Sequence, residues 1–247
     1  MIKKLYDKSE IWFAVVWIIA YVVLASIGDN ISAQIGTTKI ITLPILIILS
    51  VILLLFVKKN KMFEQYGLCK SKIPASKMLF YLPLVILLTA NLWYGVAVNL
   101  SLLESVLYVL SMLCVGFLEE MIFRGFLFNA IAKNSVKVSI IVSSITFGVG
   151  HVVNLFNGSG MGLLLNVIQI IYAIATGFAF VMIYYKTKSL ILCILTHGIF
   201  NSLSVFSNER AMTIQNQIVS GVLIVIITGC YPLYIALAVR KANQNKS

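Results

Sequence analysis

Residues 103–132 read LESVLYVLSMLCVGFLEEMIFRGFLFNAIA, an apolar run that contains Glu119, Glu120 and Arg124. A run of this length is typical of a helix that crosses a membrane, because a bilayer core of about 30 Å requires roughly 17–25 helical residues. A charge placed in hydrocarbon costs several kcal/mol even on the mildest insertion scales. The three ionisable side chains therefore indicate a functional site within the membrane.

The composition of the whole chain supports this interpretation. Of the 247 residues, 60% are hydrophobic and only 11% are charged, and the mean hydropathy is +1.00. Soluble domains contain about 25% charged residues. The net charge of +11 does not indicate a nucleic-acid partner, because the Lys and Arg residues fall between apolar blocks and not on one solvated face. We predict an integral membrane protein whose surroundings are lipid.

Eight apolar stretches are long enough to cross a bilayer, and no separate soluble domain is apparent. They lie near residues 11–28, 40–57, 78–99, 103–132, 136–156, 161–185, 189–206 and 217–239. The sequence therefore predicts an all-α, polytopic fold with about eight transmembrane helices, built as a single integral membrane domain over residues 1–247.

The positions of the basic residues predict the orientation of these helices. If the N-terminus is cytoplasmic, 16 of the 19 Lys and Arg residues fall on the inner side, and only Lys39 and Arg210 fall in outer loops. Cytoplasmic loops retain positive charge during insertion, so we predict that both termini are cytoplasmic. The inner residues are Lys3, Lys4, Lys8, Lys58, Lys59, Lys61, Lys70, Lys72, Lys77, Lys133, Lys137, Lys186, Lys188, Arg240, Lys241 and Lys246.

The two histidines of the chain, His151 and His197, both fall within predicted spans. At about 1.5 Å per residue, Glu119, His151 and Asn201 lie roughly 20 Å from the lysines that mark the inner edge of their spans. Arg124 and His197 lie about 14 Å from theirs. Polar groups from three spans are thus expected in one layer about two helical turns deep, as in a shared site.

Local spacing divides these residues into pairs. Glu120 and Arg124 are separated by four positions with the acid first, which favours an ion pair along a helix. Glu119 points about 100° away and lacks this partner, so it is the candidate general base. His197 and Asn201 form a second pair on one helical face and are able to donate hydrogen bonds toward one point.

Three short motifs occur in order in these spans: EExxxR at 119–124, FxxxH at 147–151 and HxxxN at 197–201. Together they resemble the motifs of the CPBP intramembrane proteases. This family includes the type II CAAX prenyl endopeptidases and the Abi proteins linked to bacteriocin processing and self-immunity. The resemblance covers a catalytic core of about residues 103–206. It implies an eight-helix α-helical protease in the cell membrane, and family members of this compact size imply a bacterial plasma membrane.

The hydrolytic mechanism that we expect uses these motif residues as catalytic groups. Glu119, assisted by His151, deprotonates a water that attacks the scissile carbonyl. His197 and Asn201 stabilise the oxyanion, and the pair formed by the second glutamate and the arginine holds the fourth span in register. Water has to reach this level through a cavity, which we expect to open on the inner or the lateral face.

Two questions about this chemistry stay open. Glu119, His151 and His197 are able to form a three-ligand Zn²⁺ site with a position left for water, although the sequence lacks HExxH. We expect the metal-free form, with no cofactor. The partner is a peptide or membrane-protein substrate, and a CAAX-type protein, a pheromone precursor and a bacteriocin precursor all fit.

Two functions of other classes are also compatible with the sequence. A noncatalytic bacteriocin-immunity or peptide-binding protein would use the same cavity without cleaving its ligand, since a motif does not establish activity. A proton-coupled transporter would place polar residues through the whole depth of the membrane. The single polar layer favours the protease.

Overall fold

The computed structural model describes residues 2–74, 78–157 and 160–244, so Lys77 and Lys246 lie outside the described residues. The described part of the chain is α-helical and contains no β-strand. A π-helix, Glu120–Phe128, joins α5 to α6. The helices are α1 (Ile2–Lys8), α2 (Glu10–Ile35), α3 (Thr42–Lys59), α4 (Met78–Leu88), α5 (Leu102–Glu119), α6 (Asn129–Ala132), α7 (Val136–Gly150), α8 (Leu163–Thr187), α9 (Ile191–Leu203) and α10 (Ile214–Gln244).

The long helices confirm the predicted all-α, polytopic membrane fold. Within the described ranges, six helical segments are long and apolar enough to cross a membrane, and two shorter apolar segments accompany them. The shorter ones are Tyr81–Leu92 and Ile191–Phe206. Together they correspond in order to the eight predicted stretches. The cytoplasmic position of the termini stays a prediction.

The third predicted stretch, 78–99, is wrong in its second half. Helix α4 ends at Leu88, and after a short 3-10 turn the chain passes through Gly95 at a φ of 102°. A residue with a side chain rarely adopts this backbone conformation, so the glycine permits the reversal. The following segment runs beside the chain that leaves α9, and the Ala97 amide donates to the Phe206 carbonyl at 2.9 Å.

Two close helix crossings involve the motif-bearing helices. A Cβ atom on Gly116 of α5 would lie 2.5 Å from the amide nitrogen of Gly198 on α9. A Cβ atom on Gly148 of α7 would lie 2.7 Å from the amide nitrogen of Ile174 on α8. Small residues at such crossings let helix backbones approach within the membrane. Gly116 and Gly198 thus set the distance between the helices of the first and third motifs, and Gly148 sets the distance between the helix of the second motif and α8.

The bundle has two distinct ends. At the first, α1, residues 60–74 and the turn between α8 and α9 meet, and the Tyr66 hydroxyl donates to the Tyr6 hydroxyl at 2.8 Å. We call it the basic end, because the chain positions of all described Lys and Arg residues except Lys39, Arg124 and Arg210 fall there. We call the opposite end the far end. It contains residues 36–41, 93–101, 151–157, 160–162 and 204–213.

Candidate active site

The EExxxR motif lies where α5 passes into the π-helix. Every residue of Glu120–Phe128 is buried, and the side chains of Glu120 and Arg124 are fully inaccessible to solvent. Arg124 Nη1 donates to Glu120 Oε1 at 3.1 Å, so the ion pair expected from the spacing is present. The π-helix itself was not expected from the sequence. Such segments interrupt α-helices frequently at functional sites.

The buried Arg124 guanidinium is held between aromatic rings as well as by its carboxylate. Its central carbon lies 4.0 Å from the centroid of the Phe147 ring and 5.7 Å from that of Phe180. A cation over an aromatic face is attracted by the quadrupole of the ring, and the attraction is larger when water is excluded. Phe147 belongs to the second motif, so Arg124 couples the first and second motifs directly.

Glu119 has a partner that the sequence did not predict. The Tyr21 hydroxyl of α2 donates to Glu119 Oε1 at 2.6 Å, across 98 positions of the chain. Glu119 Oε2 lies 3.5 Å from His197 Nε2. Spacing along one helix predicted only that Glu119 lacks Arg124 as a partner, so these contacts from other helices were not expected. The tyrosine fixes the orientation of the carboxylate.

His197 lies between the two carboxylates of the first motif. Its Nδ1 atom is 2.9 Å from Glu120 Oε1, and its Nε2 atom faces Glu119 at the distance given above. The Phe147 ring packs against the imidazole with a centroid separation of 5.7 Å. His197 thus links the third motif to the first and is itself buried. Asn201, one turn further along α9, is partly exposed.

His151 stands at the point where α7 gives way to a 3-10 turn, His151–Leu155. Its Nδ1 atom lies 3.1 Å from the Phe147 carbonyl oxygen, which leaves Nε2 without a partner among the described residues. Asn166 of α8 donates from Nδ2 to the His151 carbonyl at 2.8 Å. The Phe147 ring contacts the His151 ring at a centroid distance of 5.3 Å, so a single phenylalanine touches both imidazoles.

A cavity of about 750 Å³ is adjacent to this cluster. Its walls include Glu119, His151 and Asn201, whereas Glu120 and Arg124 are fully buried behind it. It extends to residues 36–39 and to Ser204 at the far end. We expected an opening on the predicted inner or lateral face, whereas the lining reaches the far end, which the charges predict to be outside. The orientation of the chain in the membrane stays a prediction.

The described residues contain no group of three His, Cys, Asp or Glu side chains arranged to hold one metal ion. The zinc alternative required Glu119, His151 and His197 around a common point. In the structure His197 instead directs Nδ1 to Glu120 and Nε2 toward Glu119. A zinc site would therefore require these side chains to rearrange.

Two positioning residues were missed by the sequence analysis. Tyr21 gave no usable signal, because tyrosine is common in membrane helices and near their ends. Asn166 did give a signal, because a buried amide within an apolar helix requires hydrogen-bond partners. In the structure its amide group donates to the backbone carbonyl of His151. Phe147 contacts His151 within the second motif.

The fold and this cluster define the class as a polytopic membrane protein with glutamate and histidine side chains at a cavity within the helix bundle. Residues 101–203 match the family model described as type II CAAX prenyl endopeptidase Rce1-like. This match confirms the resemblance to the CPBP/CAAX protease family that the three motifs indicated, and its range contains all three. No curated protein matches the chain.

Proposed function

We propose that the protein is an intramembrane endopeptidase of a bacterial cell membrane that hydrolyses a peptide bond in a membrane-associated peptide or protein. The observation that carries this proposal is that Glu119, His151 and Asn201 line the same cavity, with Tyr21 orienting the glutamate. The family match over residues 101–203 supports proteolysis as the reaction.

Glu119 is the general base in this proposal. Its side chain is 13% exposed, whereas that of Glu120 is fully buried, so only the first carboxylate has access to water. Each carboxylate oxygen accepts more than one hydrogen bond, so Oε1 is able to bind a water while it accepts from Tyr21. His151, with a free Nε2, assists by holding the water or by receiving its proton.

His197 and Asn201 are the proposed donors to the oxyanion. The 3.5 Å between His197 Nε2 and Glu119 Oε2 exceeds an ordinary N–H···O bond, so this nitrogen is able to donate to a substrate oxygen placed beside Glu119. The imidazolium form donates at both ring nitrogens. Together with Arg124, an imidazolium also balances the charges of the two carboxylates. One such donor commonly contributes about 10²–10³ in rate.

Tyr21→Phe is expected to lower kcat about tenfold to a hundredfold and to leave KM nearly unchanged. A hydrogen bond to a charged group contributes about 1.5–3 kcal/mol, and each 1.36 kcal/mol corresponds to a factor of ten in rate. The matched control is Tyr108→Phe, because the Tyr108 hydroxyl also lies at the cavity but bonds to Ser204 Oγ at 2.8 Å. Equal kcat values for the two variants would remove Tyr21 from the proposed mechanism.

The metal-free form of the reaction is tested with chelators. Purified protein treated with EDTA and 1,10-phenanthroline is expected to retain its activity, and metal analysis is expected to find less than one bound ion per chain. The zinc alternative predicts inactivation by the chelators and recovery on addition of Zn²⁺, because Glu119, His151 and His197 would then hold the metal.

The contacts between the active-site cluster and the basic end of the bundle do not favour the transporter alternative. There the Phe126 ring packs against Phe13 and Tyr66, with centroid separations of 5.0 and 4.9 Å. A proton path through the protein requires polar groups at this depth. The noncatalytic immunity or peptide-binding alternative uses the same cavity and is separated from proteolysis by experiment.

The proposed function is tested on membrane peptides extracted from cells that lack the gene. One set of cells is complemented with the wild-type chain and the other with Glu119→Gln, at matched protein levels. We expect peptides with a new C-terminus in the wild-type sample only. Identical peptide sets would contradict proteolysis, and retained immunity or peptide capture by the variant would favour the noncatalytic alternative.

A further inference from the structure

Among the described residues, those that line the active-site cavity lead from Glu119 toward the far end of the bundle. Its walls at that end are residues 36–39, between α2 and α3, and Ser204 after α9. At the base of the cavity Glu119 lies 17 residues beyond the start of α5, which corresponds to about 25 Å of helix. The catalytic level is thus connected with the far end.

An aromatic cluster closes the bundle on the other side of the site. Phe13, Phe56, Tyr66 and Phe126 are all buried, and the Phe56 and Phe126 centroids lie 6.4 Å apart. Phe126 lies seven residues beyond Glu119, about two helical turns closer to the basic end. Close-packed rings leave no space for a hydrated path, because interiors of this kind contain few voids of the size of a water molecule.

The two ends differ strongly in charge. At the far end the basic residues Lys39 and Arg210 are offset by Asp29, Glu104 and Glu209. Apart from the buried Arg124, all other described Lys and Arg residues have chain positions at the basic end. The excess of Lys and Arg in short loops determines which side of a multi-pass protein remains in the cytoplasm. The charges accordingly predict that the basic end is the cytoplasmic one.

We propose that the catalytic cavity opens to the extracytoplasmic face and receives a peptide segment presented from that side. The inference rests on the proposed protease function and specifies its substrate class. An exported peptide precursor, or an outward-facing segment of a membrane protein, brings its scissile bond to this opening. A lipidated C-terminus held at the cytoplasmic leaflet does not reach it.

The chemistry of the opening agrees with an uncharged segment. Lys39 Nζ lies 2.7 Å from Asp29 Oδ1, and the same carboxylate accepts from the Thr42 hydroxyl at 2.6 Å. The lysine at the opening is therefore already neutralised, and neighbouring Thr37 and Thr38 supply groups for hydrogen bonds to a peptide backbone. The volume of about 750 Å³ falls within the 300–1,000 Å³ typical of ligand pockets, so a short extended peptide fits.

The proposal is tested by cysteine labelling in intact cells of a strain that makes the full chain. Cys69 and Cys230 are first replaced by serine, which removes a partly exposed thiol and an exposed one. Thr37→Cys then reports on the cavity opening, and Lys61→Cys reports on the basic end. A membrane-impermeant maleimide is expected to label Thr37→Cys in intact cells, and Lys61→Cys only after permeabilisation. The reverse pattern would overturn the proposal.

Modification also links the opening to the reaction. A bulky maleimide on Thr37→Cys is expected to reduce cleavage at least tenfold, whereas modification of Lys61→Cys in permeabilised cells is expected to leave it unchanged. Unimpaired cleavage by the fully modified Thr37→Cys chain would contradict entry of the substrate at this opening. Labelling as expected in cells that show no Glu119-dependent cleavage would instead contradict the proposed function alone.

Discussion

Glu119→Gln is expected to lower kcat for peptide cleavage by about 10²–10⁴-fold, the usual contribution of a general base. The amide has nearly the shape of the carboxylate and still accepts a hydrogen bond from Tyr21, but it does not take a proton from water. Binding of the peptide uses the rest of the cavity, so KM is expected to change little.

The effect is measured in single-turnover assays of purified protein, on a peptide identified from the cellular comparison. Glu64→Gln is the matched control, because this exposed glutamate lies at the basic end, far along the chain from the site. Both variants are expected to unfold at the temperature of the wild type. A Glu119→Gln chain with wild-type kcat would show that Glu119 is not the base.

Arg124→Met is expected to lower the free energy of unfolding by about 3–5 kcal/mol, the typical cost of breaking a buried ion pair from one side. The change leaves Glu120 without its cation in a site that solvent does not reach. It also removes the contact with the Phe147 ring. The measurement is an SDS unfolding titration of the protein in mixed micelles.

Two further variants make this stability prediction specific. Arg210→Met removes an exposed arginine at the far end and is expected to stay within about 0.5 kcal/mol of the wild type. Glu120→Leu combined with Arg124→Met replaces both charges by apolar side chains and is expected to recover a large part of the loss. A single Arg124→Met chain as stable as the wild type would contradict the role assigned to the pair.

Much of the fold was predictable because membrane helices follow from local composition. The predicted stretch near 161–185 differs little from α8, which spans Leu163–Thr187, because an apolar run and a flanking lysine both mark its limits. The contact of Glu120 with Arg124 was predictable for the same reason, since it depends on spacing along one helix. The depth argument correctly expected motif side chains from separate helices in one region.

The remaining features depend on how the helices pack, which local spacing does not encode. Tyr21 meets Glu119 only because α2 packs against the π-helix, and nothing in either segment specifies the other. His197 was expected to act together with Asn201, yet the close crossing at Gly116 and Gly198 directs its ring to the carboxylates. The direction of the cavity likewise follows from the packing of aromatic rings contributed by separate parts of the chain.

The central claim, that Glu119 directs water onto a peptide bond within the membrane, is tested most directly with isotopic water. Purified wild-type protein and Glu119→Gln are each incubated with the substrate peptide in H₂¹⁸O, and the products are analysed by mass spectrometry. The account predicts cleavage at one bond, with ¹⁸O in the new C-terminal carboxylate, for the wild type alone. The same labelled product formed at the same rate by Glu119→Gln would contradict it.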